Sequence, residues 1–263
     1  MIEAGLGIYA IAIPALLLAL LSAAEAIWPR RKLVLGRYPR WLTHALFFLT
    51  NAVVGRILSL VMVVGVAANW AAQSHFGLLN LTNWPWLVEA AFAFIVLDFA
   101  VWIQHLAMHQ FSFLWRMHKV HHSDRDLDAT TALRFHPFEL MVSTLYKSAW
   151  VALLGVPALV ALAFELWLNA NALFNHSNIR LPSAFDRLVR LLLVTPDMHL
   201  VHHSVIAHEQ RRNYGFALTL WDRLFGTYAA EPAAGRDNQH IGLAETQNDR
   251  PANFIWSMKL PLT

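Results

Sequence analysis

Cysteine is absent from the 263 residues, which excludes disulfides, thiolate metal sites and cysteine nucleophiles. Charge is sparse as well. Charged residues make up 14% of the chain and the net charge is +3. Much of that surplus lies in one connection, Pro29 to Arg40, which carries Arg30, Arg31, Lys32, Arg37 and Arg40. A basic footprint for nucleic acid spreads over a whole face, so no nucleic-acid partner is expected. Glycine and proline number only 11 each, no repeat or low-complexity segment stands out, and no glycine motif of a flavin-binding kind is present.

Apolar residues are plentiful at 57%, and their clustering points to a membrane. Residues 8 to 26 hold no charge before Glu25, and ~20 apolar residues suffice to cross a bilayer as a helix. A signal peptide is the rival reading of this first run, but its basic residues follow the apolar stretch instead of preceding it. A second run extends from about Trp41 to Ala68 with Arg56 as its only charge, and a third from about Trp84 to His105. The region from Leu140 to Phe174 is interrupted by Lys147, Gly155, Pro157 and Glu165. It is read as a hairpin of two short helices in preference to one tilted span, because broken helices survive at membrane depth when protein covers the freed backbone groups.

Positive residues stay on the cytoplasmic side. The basic connection at 29–40 contrasts with the connection at 69–83, which has no Lys or Arg, so the end of the third span at His105 is expected to face the cytoplasm. The predicted fold is an all-α polytopic membrane helical bundle with about four membrane-embedded segments and a cytoplasmic helical cap. It forms one domain over 1–263: anchor spans in 1–83, a catalytic region in 84–228 and a polar tail in 229–263 that reads as a surface extension.

Fourteen histidines occur in this otherwise apolar chain, eleven of them between His105 and His208. Their spacing says more than their number. In H105xxxH109 the rings share a helical face, since residues i and i+4 are neighbours. In H118xxH121H122 and H199xxH202H203 the first ring can share a face with the second or the third, so a triplet can serve two adjacent metals. Neutral imidazole binds iron, zinc, copper and nickel. Eight rings are twice what one tetrahedral structural zinc uses, so two metals fit the count better than one. The alternative, that these are polar residues at a membrane interface, explains neither repeated HxxHH motif.

Beyond the histidines, Asp98, LWRMHKVHHS at 114–123, LRFHPFE at 133–139, FNHSNIRLPS at 174–183, VTPDMHLVHHS at 194–204, NYG at 213–215 and WDRLFGTY at 221–228 resemble the fatty acid hydroxylase and sterol desaturase superfamily of membrane di-iron oxygenases. The resemblance covers roughly Trp84 to Tyr228. It implies two iron ions that activate dioxygen to hydroxylate or desaturate a C–H position of a membrane lipid, whether sterol, fatty acyl or related. It allots His105, His118, His121, His199 and His202 to one metal and His109, His122 and His203 to the other, with His176 completing the second set. Some relatives have an HxxxH pair there. Here the earlier position is Ala172, so water, Asn171, Asn175 or nothing stands in for that ligand.

His136 in RFHPFE is either a ligand or outer-sphere group, or a structural residue on a loop set by Pro137. Asp98 and Glu139 are candidates to accept a hydrogen bond from a ligand's second ring nitrogen, which fixes tautomer and orientation. The bland readings are a buried hydrogen bond for Asp98 and helix capping for Glu139. Asn169, Asn171, Asn175 and Asn178 are read as interhelical hydrogen bonders in preference to a polar lining, and Trp221, Asp222 and Arg223 as closing the cap. Trp102, Phe111, Phe113 and Trp115 either line a lipid path or anchor the interface. His208 and His240 are expected to be exposed, and His44 and His75 interfacial.

With no iron–sulfur cysteines or flavin motif, electrons are expected from a separate reductase or ferredoxin-like donor. Two rival functions are a zinc-dependent hydrolase of lipid head groups and a non-enzymatic metal-binding protein. Oxygen consumption separates the oxygenase from the hydrolase. Transport is disfavoured because the motifs lie on one side of the predicted membrane.

Overall fold

The computed structural model describes residues 2–58 and 64–263, with no strand among them. Seven helices form the bundle: α1 (Ile2–Ile27), α2 (Arg37–Leu58), α3 (Val64–Gln73), α4 (Trp86–Gln110), α5 (Ser112–His122), α6 (Pro137–Leu154) and α7 (Ala158–His176). By length and composition α2, α4 and α7 suffice to cross a membrane, and α1 is apolar over Ile11–Ile27. The second predicted run divides into α2 and α3, and its residues 59–63 lie outside the described ones.

Proline and glycine set the boundaries of these helices. Pro85 and Pro157 stand just before α4 and α7 with φ of −57° and −58°. Pro137 occupies the first turn of α6, where the missing N–H costs no hydrogen bond. Gly155 ends α6 at φ +70°, the left-handed cap that glycine adopts without penalty. A Cβ on Gly77, itself at φ +100°, would come 2.3 Å from the Gly155 nitrogen. These two glycines therefore close one end of the bundle by direct backbone contact.

The region 140–174 is two helices joined at Gly155–Pro157, but they do not form a packed hairpin. From the turn α6 and α7 diverge, and both pack on α3 and α4. The core between them gathers Val64, Ala68, Leu97, Val151, Val160 and Phe164. This end of the bundle is apolar, whereas the opposite end, where α4 and α7 finish and α2 and α6 begin, carries the polar cluster.

The predicted anchor and catalytic region are tied together there. The Glu25 carboxylate of α1 accepts from the backbone N–H of Ala129 at 2.7 Å and of Asn178 at 2.8 Å. Arg40 of α2 is fully buried; its guanidinium pairs with Asp124 at 2.9 Å and Asp128 at 2.6 Å. His44, expected at the interface, is also buried, with Nδ1 2.7 Å from Thr130 Oγ1 and Nε2 3.0 Å from Asp124. It sits one turn along α2 from Arg40 and shares its partner Asp124. His75, His208 and His240 are exposed. Of the basic connection, Arg30 pairs with Asp197 and Asp237 and Arg31 donates to the Gln239 carbonyl, so these cations bind the cap to the bundle.

Five short helices build the cap: α8 (Ser183–Val189), α9 (Pro196–His202), α10 (Ala207–Gln210), α11 (Leu220–Leu224) and α12 (Phe254–Lys259). The tail read as a surface extension is instead part of this cap. Ile241, Leu243, Ser257 and Leu260 are buried, Gly242 donates to the His203 carbonyl, and Phe254 packs edge-on against Phe47. Its polar sequence conceals a few inward-facing apolar side chains, while Ile255 and Leu262 remain exposed.

Candidate metal centre

Nine histidines converge where four helices end. His105 and His109 lie in the last turns of α4, His118, His121 and His122 at the end of α5, and His176 at the end of α7. His199 and His202 lie on α9, and His203 caps it. α9 starts cleanly because the Thr195 hydroxyl accepts from the Met198 N–H and Pro196 takes the first helical position. Helix C-termini carry partial negative charge, so four of them aimed at one place favour cations.

The rings fall into two groups, His105, His109, His118, His122 and His202 in one and His121, His176, His199 and His203 in the other. Within each group the ligand atoms lie within 4.8 Å of one another. This division differs from the one the resemblance implied, because His121 and His199 change places with His109 and His122. Helical geometry gives the reason. At 3.6 residues per turn, position i+4 lies ~40° from position i and i+3 lies ~60° away on the other side. Each i, i+4 pair thus stays together, 105 with 109, 118 with 122 and 199 with 203, while His121 and His202 swing to the other group. The parallel His122 and His203 rings, with centroids 4.4 Å apart, join the two halves.

Hydrogen bonds fix how several rings present their nitrogens. Nδ1 of His105 donates to the Tyr214 carbonyl at 2.7 Å, that of His176 to the Ala172 carbonyl at 2.7 Å, and that of His202 to the Arg212 carbonyl at 2.8 Å. His118 Nδ1 donates to Glu139 at 2.6 Å. A carbonyl only accepts, so the neutral rings keep Nε2 as a lone pair. The Nε2 atoms of His105 and His118 nevertheless stand 3.2 Å apart, and that of His176 stands 3.0 Å from His121 and 3.1 Å from His199. The lone pairs of His105 and His118, that close, repel unless a cation lies between them. Such separations suit neighbouring donors on one ion at ~2.1 Å from each. His109 Nε2, His202 Nε2 and both nitrogens of His122 are buried without a hydrogen-bond partner.

Burial, reinforced by the neighbouring imidazoles, pushes the pKa of His121, His122, His199 and His203 well below the usual histidine value. Burial brings His202 down to about 3, against the pull of the Arg212 carbonyl. Neutral imidazole is the metal-binding form, so the donor set fits two bound cations of the imidazole-preferring kind.

The remaining candidates separate. Glu139 accepts from His118 as described. Asp98 is buried, but it accepts from the Trp221 indole at 2.8 Å and from no histidine. Its influence passes through the cap: Trp102 donates to Asp222 at 3.1 Å, and Asp222 also accepts from the N–H groups of Tyr214 and Gly215. These bonds hold the loop whose carbonyls orient His105 and His202. A side chain at Gly215 would collide with Asp222 and the Leu218 carbonyl, and Asn213 at φ +53° ties the loop to Met198 and Ala229; together they account for NYG. His136 belongs to neither group. It caps α6, accepting from the Phe138 N–H, and its Nε2 lies 3.4 Å from the Met258 carbonyl.

Asn171 and Asn169 donate to carbonyls of their own helix, and Asn175 donates to Phe216, so the expected interhelical bonds reduce to contacts with the cap and with Arg31. Sequence reasoning missed the carbonyls of Arg212, Tyr214 and Ala172, which carry no side-chain signal. It also missed Phe135, stacked on His121 at 4.6 Å.

A cavity of about 420 Å³ reaches the centre between α2, α4, α6 and α7. His105, His118 and Glu139 are among its polar lining residues and face it from the metal centre. Phe48, Phe135 and Phe216 line it, and Trp102, Phe111, Phe113 and Trp115 do not. Trp102 is engaged with Asp222, Phe111 and Phe113 are exposed, and Trp115 packs on His109 and His122.

A helical bundle whose helices are long and apolar enough to cross a membrane, with two groups of buried histidines beside an apolar cavity, defines a class: helical proteins with a paired histidine cluster able to hold metal. Residues 90–227 match the fatty acid hydroxylase family, and the chain belongs to it. Similar curated proteins include alkylglycerol monooxygenase of Homo sapiens, 28% identical over 206 residues, covering 74% of this chain and 43% of the relative. An ornithine lipid hydroxylase of Rhizobium tropici is 31% identical over 158 residues, covering 57% and 44%. A fatty acid hydroxylase of a Lecanicillium species is 31% identical over 187 residues, covering 64% and 50%. The chain spans less than half the length of the first two. No solved structure matches it.

Proposed function

We propose that the protein is a membrane-embedded, di-iron lipid monooxygenase that hydroxylates an unactivated C–H position. One atom of dioxygen enters the lipid and the other leaves as water, with electrons from a separate reductase or ferredoxin-like donor. The observation that carries this reading is the placement of His105 and His118 on the wall of an apolar cavity with their Nε2 lone pairs facing each other. The names of the similar proteins, monooxygenase and hydroxylase, favour oxygen insertion over desaturation.

The iron ions, held by His105, His109, His118, His122 and His202 on one side and His121, His176, His199 and His203 on the other, supply the activation of dioxygen. The chain's own residues do the rest. Carbonyls of Ala172, Arg212 and Tyr214 and the Glu139 carboxylate set the rings' tautomers and directions. Val101, Met108, Leu140, Leu168 and Phe216 exclude water from the cavity and seat the hydrocarbon, which gives the site the dry, oriented surroundings that reactive oxygen chemistry needs. The site end is placed in the cytoplasm, in support of which Arg30, Arg31 and Arg40 all engage that end of the bundle.

The test is oxygen uptake by the iron-loaded protein with a reductase system and extracted membrane lipids, followed by mass spectrometry. A lipid heavier by one oxygen is expected. Lipid cleavage without oxygen uptake would replace this reading with the zinc hydrolase.

A further inference from the structure

Several polar side chains of the cavity, Asn51, Gln104, Ser143, Lys147 and Asn169, have no part in the metal centre. α6 presents Glu139, Ser143 and Lys147 to the cavity, at i, i+4 and i+8 on one helical face. Lys147 therefore stands about 12 Å along the axis from Glu139, the residue that orients His118. Its ammonium pairs with Glu165 of α7 at 2.7 Å. An ionisable side chain this far from the polar end of a membrane bundle is costly, and such groups mark substrate or ion sites.

The bland role for this pair is a staple between the diverging α6 and α7. That accounts for the contact with Glu165 but not for what else faces the cavity. Lysine has three donors, and Glu165 takes one. Asn169, one turn along α7, also lines the cavity. Its Nδ2 donates to the Glu165 carbonyl at 2.7 Å, which leaves Oδ1 as an acceptor. Spare donors on Lys147 and a spare acceptor on the more exposed Asn169 thus line the same largely apolar chamber, linked through Glu165.

We propose that Lys147 and Asn169 form a polar subsite that selects lipids bearing a neutral hydroxyl group, Lys147 donating to the hydroxyl oxygen and Asn169 accepting its proton. An anionic group suits the site poorly, because Glu165 already neutralises Lys147 and a carboxylate or phosphate would meet the Glu165 charge after losing its hydration. The subsite sets which lipid is accepted and how deep it sits, and it rests on the reading of this cavity as the lipid site.

The test is equilibrium binding of tritiated 1-hexadecanol, its methyl ether and hexadecane to the detergent-solubilised full chain, comparing wild type with K147M and N169L. Comparing proteins in one detergent cancels the partitioning of each probe. Wild type is expected to hold the alcohol about tenfold more tightly than hexadecane, with the ether between them. K147M should lose the advantage of both alcohol and ether, because the donor is gone. N169L should lose only the advantage of alcohol over ether; its own bond lies within α7, so the fold is spared. Equal binding of alcohol and hexadecane by wild type, or an unchanged order in either variant, overturns the proposal. No turnover is involved, so a protein that oxidises nothing yet shows this order sinks the oxygenase reading alone.

Discussion

His118 donates from Nδ1 to the Glu139 carboxylate at 2.6 Å, which leaves its Nε2 directed at His105 Nε2, 3.2 Å away. One glutamate at the start of α6 thereby fixes the tautomer of a ring on α5 and aims it at a ring on α4. Replacing Glu139 with Leu removes that acceptor and should weaken metal binding by about 10- to 100-fold, the usual cost of losing a ligand's hydrogen-bond partner. Glu139→Gln keeps an acceptor and should lose less. Iron retained during dialysis against a graded chelator measures both.

The division of the rings can be tested directly. His202→Ala removes a donor from the group of five and His121→Ala from the group of four. Each variant should retain iron at one position and lose it at the other, so their spectra should differ and the double variant should bind neither ion. Identical spectra for the two single variants would contradict the grouping.

Ala172 lines the cavity, and its carbonyl takes the His176 proton. Ala172→Leu keeps that carbonyl and fills space beside the centre. Iron content should stay at the wild-type level while lipid turnover falls at least tenfold, read by metal analysis and product formation on the same sample.

Arg40 of α2 pairs with two buried carboxylates in the connection between α5 and α6. Arg40→Met leaves Asp124 and Asp128 buried without their partner and should destabilise the protein by ~3–5 kcal/mol, measured as a lowered midpoint in thermal unfolding in detergent.

Acid should act on the same cluster. Burial alone would raise the Asp124 and Asp128 carboxyls, but the Arg40 guanidinium outweighs it and holds both below the ordinary aspartate value. A group depressed in the folded state stabilises it at any pH above its unfolded pKa, and that contribution is lost as pH falls through the folded one. These two carboxylates should therefore add no pH dependence to thermal stability above pH ~4 and lose their contribution below it. Asp128→Asn should lower stability at neutral pH and flatten the acid decline, and an unchanged decline would show that other groups govern it.

Much of this was legible in the residues. An apolar region broken by Gly155 and Pro157 marks where helices stop and start because these residues act locally on the backbone. His136 and Asp98 show the limit, since both belong to recurring words near the histidines, yet one caps α6 and the other holds Trp221. A word in a sequence does not say which neighbour its side chain will meet. The tail misled for a related reason. Its polar composition hides a handful of inward-facing apolar residues, and which way they face depends on a surface built by α2 and α5.

The sequence by itself determined the helical class, the membrane character and the histidines, because hydropathy and the i, i+3 and i+4 spacings are properties of contiguous chain. Only the tertiary structure decided how nine rings divide into five and four, which backbone carbonyls orient them, and that Arg40, His44 and the tail belong to the support of the centre. Those outcomes depend on how helices far apart in sequence meet, and a carbonyl that accepts a histidine's proton is present in every residue.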